Sequence, residues 1–326
     1  MQYSHLISEL EQLLLETYAL WDKGWVTFNW RGYTYDHVQR VRGLALTLCE
    51  REGGDETVVS LASLLHDVTK PYDGEYVVDE MGKRATDERG FWQNATRLPQ
   101  RRNWLTDLYQ NMGLTGQLHN ESGAALSDAI LERHGVDAAM RTRVATTIRN
   151  HLIPPDDAPL ESRCLYDADT IDANIGLPAF VRNIYINAHF YDARRAVDAP
   201  TYAETIAGDP MHYLVPYVSD NLPKWGAGKR RDFVPRLLTE SARELAVARL
   251  NRLDALFLSL GQELDTQIGN GHRNRLSVLV HFMTHRDDPS IADEVAYLAR
   301  TWVGDGVPKE TTEMISSLYG EMIGQI

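Results

Sequence analysis

The dipeptide His66-Asp67 follows a strongly apolar stretch and is the pair of residues best suited to chemistry. Burying a histidine and an aspartate beside leucines is costly unless the two pair with each other or bind a metal ion. Adjacent helical residues point about 100° apart, but at a helix end both can still grip one ion. Lys70 follows one turn later, where its ammonium could meet a phosphate oxygen. The spacing therefore predicts a metal site beside a cation.

Two other segments carry residues of the same kinds. His37 lies early in the preceding predicted helix, and Arg40 is three residues further on, so both share a helix face. Asp169 lies in the segment 165–172, which has three acids in six residues between apolar positions. Carboxylates are unusual on a helix that packs into a core, and paired metal ions are one reason to place them there.

The elements that must position these residues are predicted to be helices. Asp55 is predicted to cap the helix that runs into His66, and Pro178 to lie in the first turn of another. Residues 25–35 are predicted to form a loop and residues 199–231 to be irregular. No run with the two-residue period of a strand exceeds a few residues. The apolar periodicity predicts helices over 6–14, 38–49, 56–65, 121–134, 137–150, 161–175, 178–197, 239–264, 275–285, 291–302 and 310–322.

Residues 72–118 are predicted to be an insertion between two helices of the core. The insertion contains Trp92, Trp104 and the arginines Arg97, Arg101 and Arg102. Long insertions are often functional, so this one could cover a substrate. The alternative is that the aromatic and basic side chains only pack the insertion itself.

Composition limits the classes of function. The chain has 326 residues, of which 33 are basic and 46 acidic, a net charge of −13. An acidic surface repels phosphate backbones, so binding of extended nucleic acid is not expected. A small anionic substrate remains compatible, because a metal ion and a few cations can reverse the local potential. The two cysteines, Cys49 and Cys164, predict neither a disulfide scaffold nor a Cys-x-x-Cys zinc site.

The chain shows no signal for export or membrane insertion. Its N-terminal segment is acidic rather than basic, and no apolar run reaches about 18 residues. The sequence therefore predicts a cytoplasmic protein without a membrane partner. A homo-oligomer is compatible with it.

The ordered set of His37, the pair His66-Asp67 and Asp169 resembles the metal-binding pattern of the HD-domain phosphohydrolase superfamily. The stretch 37–41 (His-Val-Gln-Arg-Val) resembles the family's first motif, and 66–70 resembles its His-Asp-x-x-Lys motif. Segments 161–172 and 238–249 are similar to the bacterial branch that includes nucleoside triphosphate pyrophosphatases. The resemblance covers about residues 25–265.

The resemblance implies a metal site and extends it. In dinuclear members, histidines in the positions of His119 and His151 hold a second ion, and the aspartate of the His-Asp pair bridges both. In mononuclear members, groups in this region contact the substrate or the metal-bound water. A helix cap or a supporting hydrogen bond is the alternative role for both histidines. The implied ligands are His37, His66, Asp67, His119, His151 and Asp169.

The nitrogen and oxygen ligands suit a divalent transition metal (Mn, Fe, Co or Ni), with Mg also compatible, and one or two ions. The implied fold is all-helical: an HD-domain helical core over 1–265 with the insertion at 72–118, and a C-terminal helical extension over 266–326.

The implied activity is metal-assisted hydrolysis of a nucleotide or another small phosphoester. Asp67, Lys70 and Glu121 are the expected catalytic residues, and Arg40 and Lys70 are expected to bind the substrate. Glu121 could instead cap its helix, and Arg40 could pair with a carboxylate. Two other functions are open: a di-iron HD-domain oxygenase, and a regulatory module that binds a nucleotide without turnover.

Overall fold

The computed structural model describes residues 3–21, 31–88, 93–264, 273–285, 291–304 and 306–324. These residues are mainly helical, with one two-stranded sheet, so the prediction of an all-helical fold is confirmed. Contacts between Cα atoms divide the chain into two compact units, Met1–Asp169 and Thr170–Ile326. The predicted division at residue 265 stays a prediction. No helix of the described ranges is long and apolar enough to cross a membrane.

The first unit consists of helices and one hairpin, with its boundary inside the last helix. The hairpin follows a short 3-10 turn, Lys70–Tyr72, and its strands are β1 (Asp73–Tyr76) and β2 (Asn94–Thr96), which pair antiparallel. The helices are α1 (Ser4–Tyr18), α2 (Arg31–Glu52), α3 (Glu56–Leu65), α4 (Trp104–Asn111), α5 (His119–Arg133), α6 (Ala138–Arg149) and α7 (Leu160–Asn174).

Helix α3 is the central element of the first unit. Every residue from Val58 to Leu65 is buried, and the helix contacts α1, α2 and α6. The predicted N-cap is confirmed, because the Asp55 carboxylate accepts hydrogen bonds from the backbone N–H groups of Thr57 (3.0 Å) and Val58 (3.4 Å). This capped, apolar helix therefore places His66, its C-terminal cap, in the interior of the unit.

The predicted insertion has secondary structure of its own, namely the hairpin and α4. The Tyr72 ring stacks on that of Tyr109 in α4, with centroids 3.7 Å apart, and Trp21 meets Tyr72 edge-on. Arg101 and Arg102 contact other groups of the first unit, the carbonyl of Ala19 and the carboxylate of Asp107. Trp92 lies outside the described residues. A role of the insertion as a substrate cover stays a prediction.

The second unit is helical within its described residues. A π-helical turn, Tyr217–Asn221, and a 3-10 turn, Val234–Arg236, interrupt the series. The helices are α8 (Leu177–Arg194), α9 (Tyr202–Gly208), α10 (Pro210–Pro216), α11 (Leu222–Phe233), α12 (Glu240–Gln262), α13 (Arg275–Thr284), α14 (Ile291–Thr301) and α15 (Lys309–Met322).

Two predictions of irregular structure were wrong. Residues 199–231 form α9, α10 and most of α11, because their prolines start helices: Pro210 and Pro223 lie in first turns, where the missing N–H costs nothing. Thr201 and Glu204 form a capping box at the start of α9. Residues 31–35, predicted as part of a loop, begin α2. The rest of that predicted loop that falls on 25–30 lies outside the described residues. Pro178 lies in the first turn of α8, as predicted.

A buried carboxylate ties α15 to other helices of the second unit. Glu321 is 4% exposed and accepts hydrogen bonds from the Leu177 N–H (2.8 Å) and from Arg252 (3.2 Å), and Arg249 lies 3.8 Å away. Gly176 makes this approach feasible: its φ is +114°, and a Cβ there would press on Glu321 and Arg249. The network therefore joins the start of α8 to α12 and α15.

Asp55 both caps α3 and pairs with Arg143, and two substitutions distinguish these roles. Asp55→Ala should lower the free energy of unfolding by about 1 kcal/mol at neutral pH, whereas Asp55→Asn keeps the cap and should lose less. Burial raises the pKa of Asp55, but Arg143 and the capping N–H groups outweigh burial and lower it. The stabilisation is therefore present above the unfolded pKa of about 3.9 and lost as pH falls through the lower folded pKa. Urea unfolding of the three proteins between pH 3 and 7 (about the range of that titration) measures the free energy of unfolding. A difference between wild type and Asp55→Ala that grows on acidification would contradict the prediction.

Removal of the Glu321 carboxylate should destabilise the second unit. Glu321→Ala takes the acceptor from buried donors, and breaking such a pair costs about 3–5 kcal/mol. Glu321→Gln keeps an acceptor for the Leu177 N–H and should cost less. Thermal and urea unfolding of both variants measure the difference. Equal stability of the alanine variant and the wild type would show that the network does not hold α15.

Candidate metal centre

The structure brings all six predicted metal ligands together in the first unit. Four of them lie at or next to the ends of helices, and the other two lie within helices. His66 caps α3, Asp67 follows it, His119 opens α5, and His151 lies just after α6. His37 comes from the second turn of α2 and Asp169 from α7.

Asp67 lies between two groups of imidazoles. Its Oδ2 atom is 3.7 Å from the Nε2 atoms of both His37 and His66. Its Oδ1 atom is 3.7 Å from His119 Nε2 and 3.9 Å from His151 Nε2. Within each group the ligand atoms lie within 4.8 Å of one another. One carboxylate is therefore shared by two clusters, each able to hold a metal ion.

Asp169 is next to the first cluster. Its Oδ1 atom lies 3.0 Å from His37 Nε2, and its side chain is 21% exposed, against 6% for His37. Burial raises the pKa of Asp169, but the hydrogen bond and the charge of His37 outweigh burial and lower it. Asp169 therefore offers an ionised oxygen at the more open side of the cluster.

The rings of His66 and His151 are held in the same way. The Nδ1 atom of each lies 2.6 Å from a backbone carbonyl three residues earlier, that of Ser63 and that of Ile148. A carbonyl only accepts, so Nδ1 carries the proton, and in a neutral ring Nε2 keeps its lone pair.

These two lone pairs test whether a metal ion fits the site. Both Nε2 atoms are buried, and among the described residues neither has a hydrogen-bond partner. They face the Asp67 oxygens at distances too long for a hydrogen bond. Buried lone pairs aimed at a carboxylate are unfavourable by themselves and favourable around a cation, so the donor set fits a divalent metal.

The charges of the site agree with this arrangement. Burial would raise the pKa of the Asp67 carboxyl, but its neighbours outweigh burial and hold that pKa well below its usual range. Those neighbours are His66, His119, Lys70 and His37. Burial, reinforced by His66 and His119, lowers the pKa of His151 to about 3. His151 is therefore neutral at physiological pH, which is the state that binds metals.

Contacts behind the ligands hold the His66-Asp67 turn. The Tyr18 hydroxyl donates to the Asp67 carbonyl at 3.1 Å, and Thr69 Oγ1 donates to the His119 carbonyl at 3.0 Å. Helix α5 comes very near to the turn at Gly123, where a Cβ would lie 3.1 Å from the carbonyl oxygen of His66. The backbone at the start of α5 is therefore tied to the end of α3.

The remaining predicted site residues have other contacts. Arg40 is 1% exposed, so its guanidinium lies within the core. Glu121 accepts a hydrogen bond from Arg149 Nε at 3.0 Å, and its side chain is 39% exposed. Lys70 is 30% exposed, and its Nζ atom lies 3.3 Å from Asp73 Oδ2. The substrate-binding and catalytic roles of these three residues stay predictions.

Asp73 was missed by the sequence analysis. Its Oδ2 atom lies 3.1 Å from His119 Nδ1, on the side of the ring opposite to Asp67. In the sequence the dipeptide Asp73-Gly74 has the composition of a turn. The available signal was its position, three residues after Lys70, which allows an ion pair across one 3-10 turn.

A helical unit whose helix ends bring a histidine, a His-Asp pair and a distant aspartate to one site defines a class of metal-binding proteins. Residues 34–174, which contain all six ligands, match the HD domain. This segment, although not the whole chain, is therefore similar to HD domains, which bind divalent metals and occur generally in metal-dependent hydrolases. No curated protein matches the sequence.

Several solved structures are similar to this chain. Bacillus subtilis YpgQ is 16% identical, with a TM-score of 0.40, over 82% of this chain and 99% of YpgQ. The structure of YpgQ in complex with ADP is 18% identical in sequence, with a TM-score of 0.39, over 80% of this chain and 98% of YpgQ. A predicted HD superfamily hydrolase from an uncultured Thermotogales bacterium is 23% identical, with a TM-score of 0.35, over 68% of this chain and 93% of that one.

Variants of the shared carboxylate should show how many ions the site holds. Asp67→Ala removes a ligand from both clusters and should abolish metal retention, whereas His151→Ala should affect only the ion nearer to His119. His134→Ala is the matched control, because that ring lies beside Glu9 instead. Elemental analysis after dialysis measures the metal content. Wild-type metal content in Asp67→Ala would contradict the assignment.

Proposed function

We propose that the chain is a metal-dependent phosphohydrolase that acts on a nucleotide or another small phosphoester. The observation that carries the proposal is the position of Asp67, whose two oxygens face separate imidazole pairs. Two-metal sites that act on phosphoesters hold their ions about 3.5–4 Å apart, a separation that one carboxylate can bridge. An anionic bridge also offsets the charge of two divalent cations.

The ligands divide into two sets that share the bridge. The first set is His37, His66, Asp67 and Asp169, and the second is Asp67, His119 and His151. Mixed imidazole and carboxylate ligands suit Mn, Fe, Co or Ni. The chemistry that such ions supply is the acidification of water and the polarisation of a phosphoryl oxygen.

Other charged groups of the site suit an anionic substrate. The whole chain carries a net charge of −13, so a phosphate must meet a local reversal of the potential. Lys70 is partly exposed beside the clusters, and burial, which lowers its pKa, is outweighed by Asp73 and Asp67, so the pKa of Lys70 is raised. Its ammonium therefore stays charged and can pair with a phosphate oxygen as negative charge develops.

Arg40 and Glu121 contribute less directly to this proposal. A guanidinium that is 1% exposed cannot meet a substrate without rearrangement of the core, so we assign Arg40 to the support of α2. The Glu121 carboxylate is already paired with Arg149 in the first turn of α5, which favours the structural role over that of a base.

A di-iron oxygenase is the second candidate. The observation that favours it is the same set of six ligands with a shared carboxylate, because imidazole suits iron well. It differs from the first candidate in its dependence on iron and dioxygen. Iron content and its spin state therefore separate the two functions.

The test is a panel of nucleoside mono-, di- and triphosphates and simple phosphoesters with the manganese-loaded protein. We expect release of phosphate or pyrophosphate from at least one of them. Asp67→Ala should reduce turnover to background, and His134→Ala should retain it. Chromatography of the products identifies the bond that is cleaved.

Each other outcome selects a different function. Absence of turnover on the whole panel with metal bound contradicts the hydrolase. Tight nucleotide binding without turnover would indicate a regulatory module. Two tightly bound irons with a mixed-valent spin signal and uptake of dioxygen would indicate the oxygenase.

A further inference from the structure

The hairpin holds Asp73 next to the Nδ1 atom of His119. Asp73 is the first residue of β1, where it pairs with Thr96, and its side chain is 18% exposed. The next residue, Gly74, packs against the partner strand so closely that a Cβ would collide with the carbonyl of Ala95. The strand pairing therefore fixes the backbone from which the Asp73 carboxylate reaches His119.

The three imidazoles that face Asp67 from helix ends differ in what holds their Nδ1 atoms. For His66 and His151 the acceptor is a backbone carbonyl of their own helix. His119 opens its helix, and the first turn of a helix presents N–H groups rather than free carbonyls. A different acceptor is needed there, and the Asp73 carboxylate lies 3.1 Å from His119 Nδ1.

Lys70 competes for the same nitrogen. Its Nζ atom lies 3.4 Å from His119 Nδ1, so an unprotonated Nδ1 could accept a hydrogen bond from the ammonium. The proton would then lie on Nε2 and point at Asp67 Oδ1, which is 3.7 Å away and beyond hydrogen-bonding distance. With the proton on Nδ1, Asp73 accepts a shorter, charge-assisted bond, and Lys70 pairs with the same carboxylate. The second arrangement is the more favourable one.

We propose that Asp73 is a positioning residue that keeps the proton of His119 on Nδ1, so that the Nε2 lone pair faces Asp67. A carboxylate behind an imidazole fixes its tautomer and raises its basicity as a ligand. Asp73 also accepts from Lys70, so the ammonium has an acceptor other than Nδ1. The part of the inference that concerns metal affinity rests on the proposed metal role of His119, whereas the part that concerns the tautomer does not.

The first experiment measures the tautomer without any metal. Two-bond ¹H–¹⁵N spectra of metal-free protein with ¹⁵N-labelled histidines distinguish the two neutral tautomers, and His119→Gln assigns the signal. We expect the wild type to carry the proton on Nδ1. In Asp73→Ala, Lys70 becomes the remaining neighbour, and the proton should move to Nε2. Asp73→Asn should retain the wild-type tautomer, because its amide oxygen can accept from Nδ1.

The second experiment measures metal affinity by calorimetric titration with Mn²⁺ and, for its visible spectrum, Co²⁺. Asp73→Ala should weaken the ion held by His119 and His151 by about 10–100-fold and leave the other ion unchanged. Asp73→Asn should weaken it less. Glu75→Ala is the matched control, since it removes an exposed acid from the same strand.

The outcomes separate this inference from the proposed function. An unchanged tautomer in Asp73→Ala overturns the role of Asp73, whether or not the protein hydrolyses anything. Unchanged affinity of both ions in Asp73→Ala overturns the part that concerns metal binding. If the alanine variant fails to fold, Asp73→Leu, which fills the same space without an acceptor, replaces it, and an unchanged tautomer in that variant overturns the role of Asp73. Turnover failure with the expected tautomer shift would contradict the hydrolase alone.

Discussion

The ionised carboxylate of Asp67 in the core of the first unit is the constraint on which the rest of the site depends. A carboxylate that is only 5% exposed is unfavourable unless cations or hydrogen-bond donors surround it. Here imidazoles approach both oxygens, and the Tyr18 hydroxyl holds the backbone carbonyl of the same residue. The helices of this unit are arranged so that these groups converge on one side chain.

Helix termination performs much of this arrangement. The last carbonyls of a helix have no partner within the helix. At the ends of α3 and α6, one such carbonyl accepts from the imidazole Nδ1 of a residue three positions later, His66 in one case and His151 in the other. In α6 the same carbonyl also accepts from the His151 backbone N–H. In both helices the bond to Nδ1 turns Nε2 towards the carboxylate. At the start of α5 no carbonyl is free in this way, and a residue from the hairpin, Asp73, takes that position.

The insertion therefore contributes a residue to the site, which its composition does not indicate. Its tryptophans and arginines suggested a cover for a substrate. Arg101 and Arg102 instead contact the carbonyl of Ala19 and the carboxylate of Asp107. Among the described residues of the insertion, Asp73, which has the sequence context of a turn, reaches the site. Lys70 is shared in the same way, because it neighbours both the site and Asp73. A cation that looks free in sequence is part of a network in three dimensions.

The sequence by itself determined the helical class, the central helix α3 with its cap at Asp55, and the residues that meet at the site. Apolar periodicity and the cost of burying His66-Asp67 are local properties, so they indicate the helices and this pair. His119 and His151 were expected only from the resemblance to HD domains. Only the tertiary structure decided that the two oxygens of Asp67 serve separate clusters, that Arg40 is enclosed and that Asp73 stands behind His119. Those facts depend on where helix ends and a hairpin meet in space, and residues far apart in the chain carry no local trace of that meeting. The helices within 199–231 were missed because a proline that starts a helix and one that ends it are the same residue in sequence.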